Sequence, residues 1–165
     1  LPEHDALPGI ARGNAWAAED VMSRNARLGK RVIVLDETAN WKGGGTALFL
    51  AEQGHEVTIV TGAPMVMFEM ARTNADSQAR ERLRQLGARI ITDAVVLEWH
   101  GDGATVREAG GQPQRIAADS LVTATTNVSE RGLSDELGAA SIGDAVAART
   151  AAMAIFEGRK LAMSI

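Results

Sequence analysis

Three consecutive glycines, Gly43, Gly44 and Gly45, stand before Thr46 in RVIVLDETANWKGGGTALFLAEQGHEVTIV, residues 31 to 60. Glycines ahead of a helix let the backbone approach an anion, and the free N–H groups of the helix start complete a small phosphate nest. The residues just upstream oppose that chemistry. Asp36 and Glu37 follow the apolar run VIVL, and a carboxylate beside a pyrophosphate costs on the order of 1 kcal/mol when exposed and more when desolvated. The turn also departs from G-x-G-x-x-G, because Trp41 and Lys42 lengthen it. The next apolar run ends in Thr61 and Gly62, with no carboxylate to hold a ribose and no nearby Arg for a 2′-phosphate. The expectation is a cradle that no longer grips a nicotinamide nucleotide. A second candidate is SIGDAVAART, residues 141 to 150. There Gly143 permits close backbone approach, Asp144 is placed to cap the last helix, and Arg149 carries a charge suited to a phosphate.

Other chemistry-bearing residues form no constellation. His4, His55 and His100 are scattered, with no i,i+4 pairing for a metal, and both His55 and His100 are expected in solvated turns. A G-x-S-x-G turn for nucleophilic catalysis is missing. Met65, Met67 and Met70 are expected to pack against the sheet or a neighbouring domain, and RERLRQ to be a solvated helix face. Trp16 and Trp99 fit either the core or a domain contact.

The elements that must position these residues alternate. A helix is expected over residues 19 to 28, closed by Gly29, then a strand at Arg31 to Leu35. Thr46 to Gln53 reads as a helix with Ala47, Leu50 and Ala51 on one face, and Val57 to Val60 as a parallel neighbouring strand. DSQARERLRQLG is amphipathic, and ARIIT supplies a third strand. From 94 to 124 the period changes to three strand-like runs, AVVLEW, ATVREA and QRIAADSLVTAT, joined by HGDG and GGQP as in an antiparallel meander. The last 21 residues, AVAARTAAMAIFEGRKLAMSI, read as one helix. The fold expected is α/β, a Rossmann-like three-layer domain with an antiparallel β-meander excursion.

Length and composition agree. A chain of 165 residues with 45% hydrophobic and 23% charged residues can bury one substantial core. Its net charge of −4, without blocks of like charge, argues against nucleic acid or anionic membrane as partner. Zero Cys excludes disulfides and thiolate ligands from this chain and fits a cytoplasmic location. No apolar run approaches the roughly 20 residues of a membrane span. The start, LPEHDALPGIARGNAW, lacks an initiator Met and a signal pattern, as expected of a fragment.

In order and spacing, the stretch GKRVIVLD followed by LAEQGHEVTIVTG, preceded by ALPGIARGNAWAAEDVM and ending in SIGDAVAARTAAMAIFEGRKLA, resembles the C-terminal region of the trimethylamine dehydrogenase and 2,4-dienoyl-CoA reductase family. The resemblance is greatest to amine-oxidising members such as histamine dehydrogenase and N-methylproline demethylases. It covers nearly the whole chain. It implies that residues 1–29 are a linker and the end of an FAD-type domain, 30–126 an inserted NAD(P)-type Rossmann-like domain, and 127–165 the return into the FAD-type domain.

The resemblance further implies an FMN barrel and an iron–sulfur cluster outside this chain, and no turnover by this chain alone. FAD or ADP would be met by Gly143, Asp144, Arg149 and Thr150, the Asp144 carboxylate accepting a ribitol hydroxyl. The partners implied are the remainder of a parent chain and an electron-transfer protein that makes a nicotinamide unnecessary; a dienoyl-reductase-like member would need NAD(P)H. Two rivals stand beside this: a receiver-type phosphoacceptor domain, for which the second strand-end Asp and later Lys are missing, and a docking module for a redox partner. An uncovered face at Ala152, Ile155 and Phe156 predicts an apolar patch or a homo-oligomer.

Overall fold

The computed structural model describes residues 7–164. In chain order the strands are β1 (Ala15–Ala17), β2 (Arg31–Asp36), β3 (Glu56–Thr61), β4 (Arg89–Ile91), β5 (Ala94–Trp99), β6 (Gly103–Glu108), β7 (Gln114–Ala117) and β8 (Ser120–Ala124). The helices are α1 (Ala18–Met22), α2 (Trp41–Glu52), α3 (Ala75–Gln85), α4 (Gly132–Leu137) and α5 (Ala151–Ala162). Among the described residues, 7–125 and 126–164 form two separate compact units.

Val32, Ile33, Val34 and Leu35 of β2 are each at most 5% exposed. A strand with no polar alternation needs cover on both faces, worth roughly 1.5–3 kcal/mol per buried side chain. It receives that cover inside a five-stranded sheet of order β1-β8-β2-β3-β4, in which every pair is parallel. One face packs Val32, Val34, Ile59 and Val122 against α1, α2 and α3 through Val21, Ala47, Leu50 and Leu83. The other face packs Ile33, Leu35, Val60 and Leu121 against a three-stranded antiparallel sheet, β5-β6-β7, through Val96, Trp99, Ala104 and Val106. The α/β class, the parallel sheet and the antiparallel excursion are therefore as expected, with a small sheet serving as the third layer.

Local differences have physical causes. The run QRIAADSLVTAT is divided: β7 completes the small sheet, and β8 returns between β1 and β2. Because β1 pairs with β8, the sheet takes in residues that the boundary at residue 30 would place outside it. Helix α1 ends at Met22, not at Gly29, since Ser23 Oγ donates back to Glu19 O (2.7 Å) and Arg24 is left-handed at φ 61°. Helix α5 begins only at Ala151, because Gly143 has φ 61° and Thr150 is extended.

Asp119 joins the starts of β8 and β2. It accepts the Arg31 N–H (2.8 Å) and, at its other oxygen, Arg31 Nε (3.1 Å) and Nη2 (2.5 Å). The guanidinium hydrogen bonds, followed by the backbone N–H, hold its carboxyl down at about 2. A depressed acid contributes stability above its ordinary value of 3.8, and that contribution is lost as pH falls through about 2. An NMR titration should therefore find Asp119 the last carboxylate on this end of the sheet to protonate, and Asp119→Asn should remove that limb of the acid-unfolding curve.

Candidate functional site

The turn after β2 is built by Asp36. Its Oδ1 accepts the N–H groups of Thr38 (3.1 Å) and Ala39 (2.9 Å) and the Thr38 hydroxyl (3.1 Å). The turn places Ala39 at φ 48° and delivers Asn40 as N-cap, whose Oδ1 accepts the Lys42 N–H (2.8 Å). Helix α2 consequently starts at Trp41, not at Thr46, and Gly43, Gly44 and Gly45 lie in its first turns instead of in a loop.

Glycine in a helix interior costs roughly 0.5–1 kcal/mol relative to alanine, so each position needs a reason. A Cβ on Gly43 would come within 2.1 Å of Asp36 Oδ1, and one on Gly44 within 2.2 Å of Met67 Cγ. Both glycines let α2 settle directly onto the end of β2 and the buried Met67.

A dinucleotide needs open donors and space at this helix start. Here the Thr38, Ala39 and Lys42 amides already have acceptors, and Glu37 N donates to Ala124 O (3.1 Å). Strand order reverses between β8 and β2, where open α/β sheets bind ligands. That crevice is bridged by Lys42, whose Nζ donates to Thr125 O and pairs with Glu19, both at 2.8 Å. The cavity beside Asp36, Glu37 and Thr61 is about 260 Å³, below the roughly 300–1,000 Å³ of ligand pockets. These residues do not fit a pyrophosphate: the Asp36 carboxyl lies against the helix start that would receive it.

Asp36 is fully buried, and its Oδ2 has no partner among the described residues. Burial raises its carboxyl above the ordinary value, against the hydrogen bonds from Ala39 and Thr38. For an acid raised in the fold, the native state binds the proton more tightly, so stability falls as pH rises from 3.8 through the raised value. Relative to Asp36→Asn, the native chain should lose stability across that window and run parallel above it, as measured by urea unfolding at successive pH values.

The second candidate lies in the unit from residue 126. Gly143 opens a 3-10 turn, Gly143–Ala145. Asp144 is exposed and accepts the Arg149 N–H (3.3 Å), so it closes the loop before α5 without capping that helix. Glu157 takes the Gly143 N–H (2.7 Å) and pairs with the Arg149 guanidinium; those two contacts, in that order, hold its carboxyl below the ordinary range. Arg149, the expected phosphate partner, is thus engaged from within its own unit. Thr150 is the N-cap residue of α5 and makes no side-chain capping bond. Asp144 keeps its exposed carboxylate, and the first N–H groups of α5 follow it. An exposed carboxylate can accept a hydroxyl, and a helix start suits a phosphate.

The remaining residues are placed as follows. His4 lies outside the described residues. His55 and His100 are half-buried and hydrogen-bonded within the chain: His55 Nδ1 donates to Gly29 O (2.9 Å), and His100 Nδ1 lies 3.0 Å from Arg12 Nη1. Arg12 only donates, so the other His100 nitrogen carries the proton to Thr105 Oγ1 (2.7 Å). No group of metal ligands occurs among the described residues. Met67 is in the core, and Trp99 is fully buried with Nε1 donating to Gly13 O (2.8 Å). The face of RERLRQ is engaged as well as solvated, Arg80 pairing with buried Asp76 and Arg82 with Glu52. No helix among the described residues is long and apolar enough to cross a membrane.

A parallel sheet with helices on one face and a three-stranded excursion on the other defines a Rossmann-like domain of the nucleotide-binding type. Residues 16–124 match the family described as the OYE-like second alpha/beta domain, and the chain belongs to it. The 6-hydroxypseudooxynicotine amine oxidase of Pseudomonas geniculata superposes with a TM-score of 0.86 at 26% identity, over 96% of this chain and 26% of that one. A 2-naphthoyl-CoA reductase gives 0.82 at 27% identity, over 100% of this chain and 26% of that one. Histamine dehydrogenase from Rhizobium sp. 4-9 gives 0.86 at 23% identity, over 98% of this chain and 28% of that one, and shows the shared fold. The chain spans about a quarter of the length of these proteins. The family expected from the sequence is the family found.

Proposed function

We propose that this chain is the nucleotide-fold module of a flavin-dependent oxidoreductase that oxidises amines, of the amine dehydrogenase or N-demethylase type, and that it is not catalytic alone. The likeness at 26% identity to an amine oxidase supports the amine class. The observation that carries the role is the closed turn: Asp36, Asn40 and Lys42 use the donors and the crevice that a nicotinamide nucleotide would need. The module acts as a scaffold. Its Asp144 carboxylate and α5 N-terminus would hold the ribitol and phosphate of FAD, or the phosphate of ADP, while FMN and an iron–sulfur cluster belong to the remainder of a parent protein. That remainder would also cover Ile155 (73% exposed) and Phe156 (60%) and pass electrons to an electron-transfer protein.

The likeness at 27% identity to a 2-naphthoyl-CoA reductase favours a second reading, an NAD(P)H-binding domain of a dienoyl-CoA-reductase-like enzyme. Calorimetric titration separates the two. The scaffold reading predicts no heat with NADH or NADPH, and FAD binding that weakens at least tenfold in Asp144→Asn while ADP, which has no ribitol, binds the two alike. Stoichiometric NADH or NADPH binding lost in Gly44→Val would overturn it in favour of the second.

A further inference from the structure

Arg12 faces more acceptors than one nitrogen can satisfy. Its Nη1 carries two hydrogens and lies 3.2 Å from Trp99 O, 3.0 Å from His100 Nδ1 and 2.8 Å from Glu98 Oε1. A bulge in β5 assembles this cluster. The register slips between Val96 and Glu98, so Val96 and Trp99 both enter the core, and Glu98 and His100 are left together on the outer face. His100 is fixed from its other side by the Thr105 hydroxyl, 2.7 Å from Nε2. Further charges on that face are engaged or lie further along: Arg115, opposite Thr105 on β7, pairs with Asp102 at 2.5 Å, and Arg107 stands opposite Val95.

The arrangement has room for a single imidazole proton, at Nε2. Imidazole takes up its second between about pH 8 and pH 5, and Nδ1–H would then point at a guanidinium 3.0 Å away. Two charged donors cannot keep that distance. Glu98 Oε1 lies 3.8 Å from Nδ1 and can accept the new proton after a small movement. Arg12 is the member able to leave, since it belongs to a 3-10 turn, Ile10–Arg12, with no buried residue. We infer that His100 is a pH-sensitive latch on the segment wrapped over Trp99. Neutral, it holds Arg12 against the end of β5; protonated, it turns to Glu98 and releases Arg12 from Trp99 O. What loosens is the lead into β1, the edge strand beside β8.

NMR on the whole chain reads the latch at Trp99, whose indole and backbone N–H groups hold Gly13 O (2.8 Å) and Pro8 O (2.9 Å). After correction for intrinsic rates, both should exchange about tenfold faster at about pH 5.5 than at about pH 7.5, while the β2 amides keep their protection. That transition should coincide with the titration of the His100 ring nitrogens, followed by their chemical shifts. His100→Asn, whose Oδ1 can accept Arg12 in place of Nδ1 and takes up no proton, should abolish the response although His4 and His55 remain. His100→Lys, a permanent cation, should exchange fast at both pH values. Three results would overturn the inference: exchange at Trp99 that ignores pH in the native chain, a transition whose midpoint departs from that of the His100 ring, or a pH response that survives in His100→Asn.

Discussion

Trp99→Ala is expected to lower the unfolding free energy by about 3–5 kcal/mol, the range for truncating a buried aromatic side chain. Two things are lost together. The indole is fully buried between the parallel sheet and the three-stranded layer, so a large cavity opens between them. Its Nε1 also holds Gly13 O at 2.8 Å, and the same residue's backbone accepts Arg12 Nη1 (3.2 Å) and donates to Pro8 O (2.9 Å). The segment leading into β1 is therefore wrapped on Trp99. Gly9, at φ 84°, brings its backbone so close that a Cβ would lie 1.9 Å from Trp99 O. Hydrogen exchange should show β1 losing protection well beyond the global change, because its anchor goes with the side chain. Equal loss of protection in β3 and β1 would contradict this assignment.

Gly43→Ala should cost about 2–4 kcal/mol although alanine is the better helix former, adding overpacking to the loss of buried hydrogen bonds. The new methyl would collide with the Asp36 carboxyl, which is rigid because three donors hold it. Either α2 lifts from the end of β2 or Asp36 swings away and leaves the Thr38 and Ala39 amides without their acceptor. Chemical denaturation of Gly43→Ala beside Gly45→Ala checks this within one helix, since a methyl on Gly45 meets only the half-exposed Trp41 ring, at 3.3 Å, and should cost far less.

The sheet was legible because its strands are unbroken apolar runs: VIVL could lie only at the centre, and the change of period after Ile91 announced the second layer. The helix starts were not, because the GGG run resembles a turn and outweighed the better signal next to it. Asp36 followed by Thr38 is an Asx-turn pattern, and Asn40 before Trp41 is an N-cap. Read together they set α2 five residues earlier and turn Asp36 from an obstacle to phosphate into the group that closes the turn. Lys42 left no local trace, since its acceptor at Thr125 lies 83 residues further along the chain. The same distance hid Glu157, whose hold on Gly143 and Arg149 depends on the loop folding back along α5.

The central position of β8 bears on how the chain reaches this state. Arg31 and Asp119, which bring β2 and β8 together, are 88 residues apart, whereas β2 and β3 are joined through a single helix. Nearby pairings form first and distant ones late, because a long loop must be closed before its contacts are gained. During synthesis or refolding, β2 should thus spend time with one edge open, displaying an uncharged Val-Ile-Val-Leu row to other chains. Nascent molecules are most vulnerable to aggregation in that interval, and it ends when the returning strand slots in.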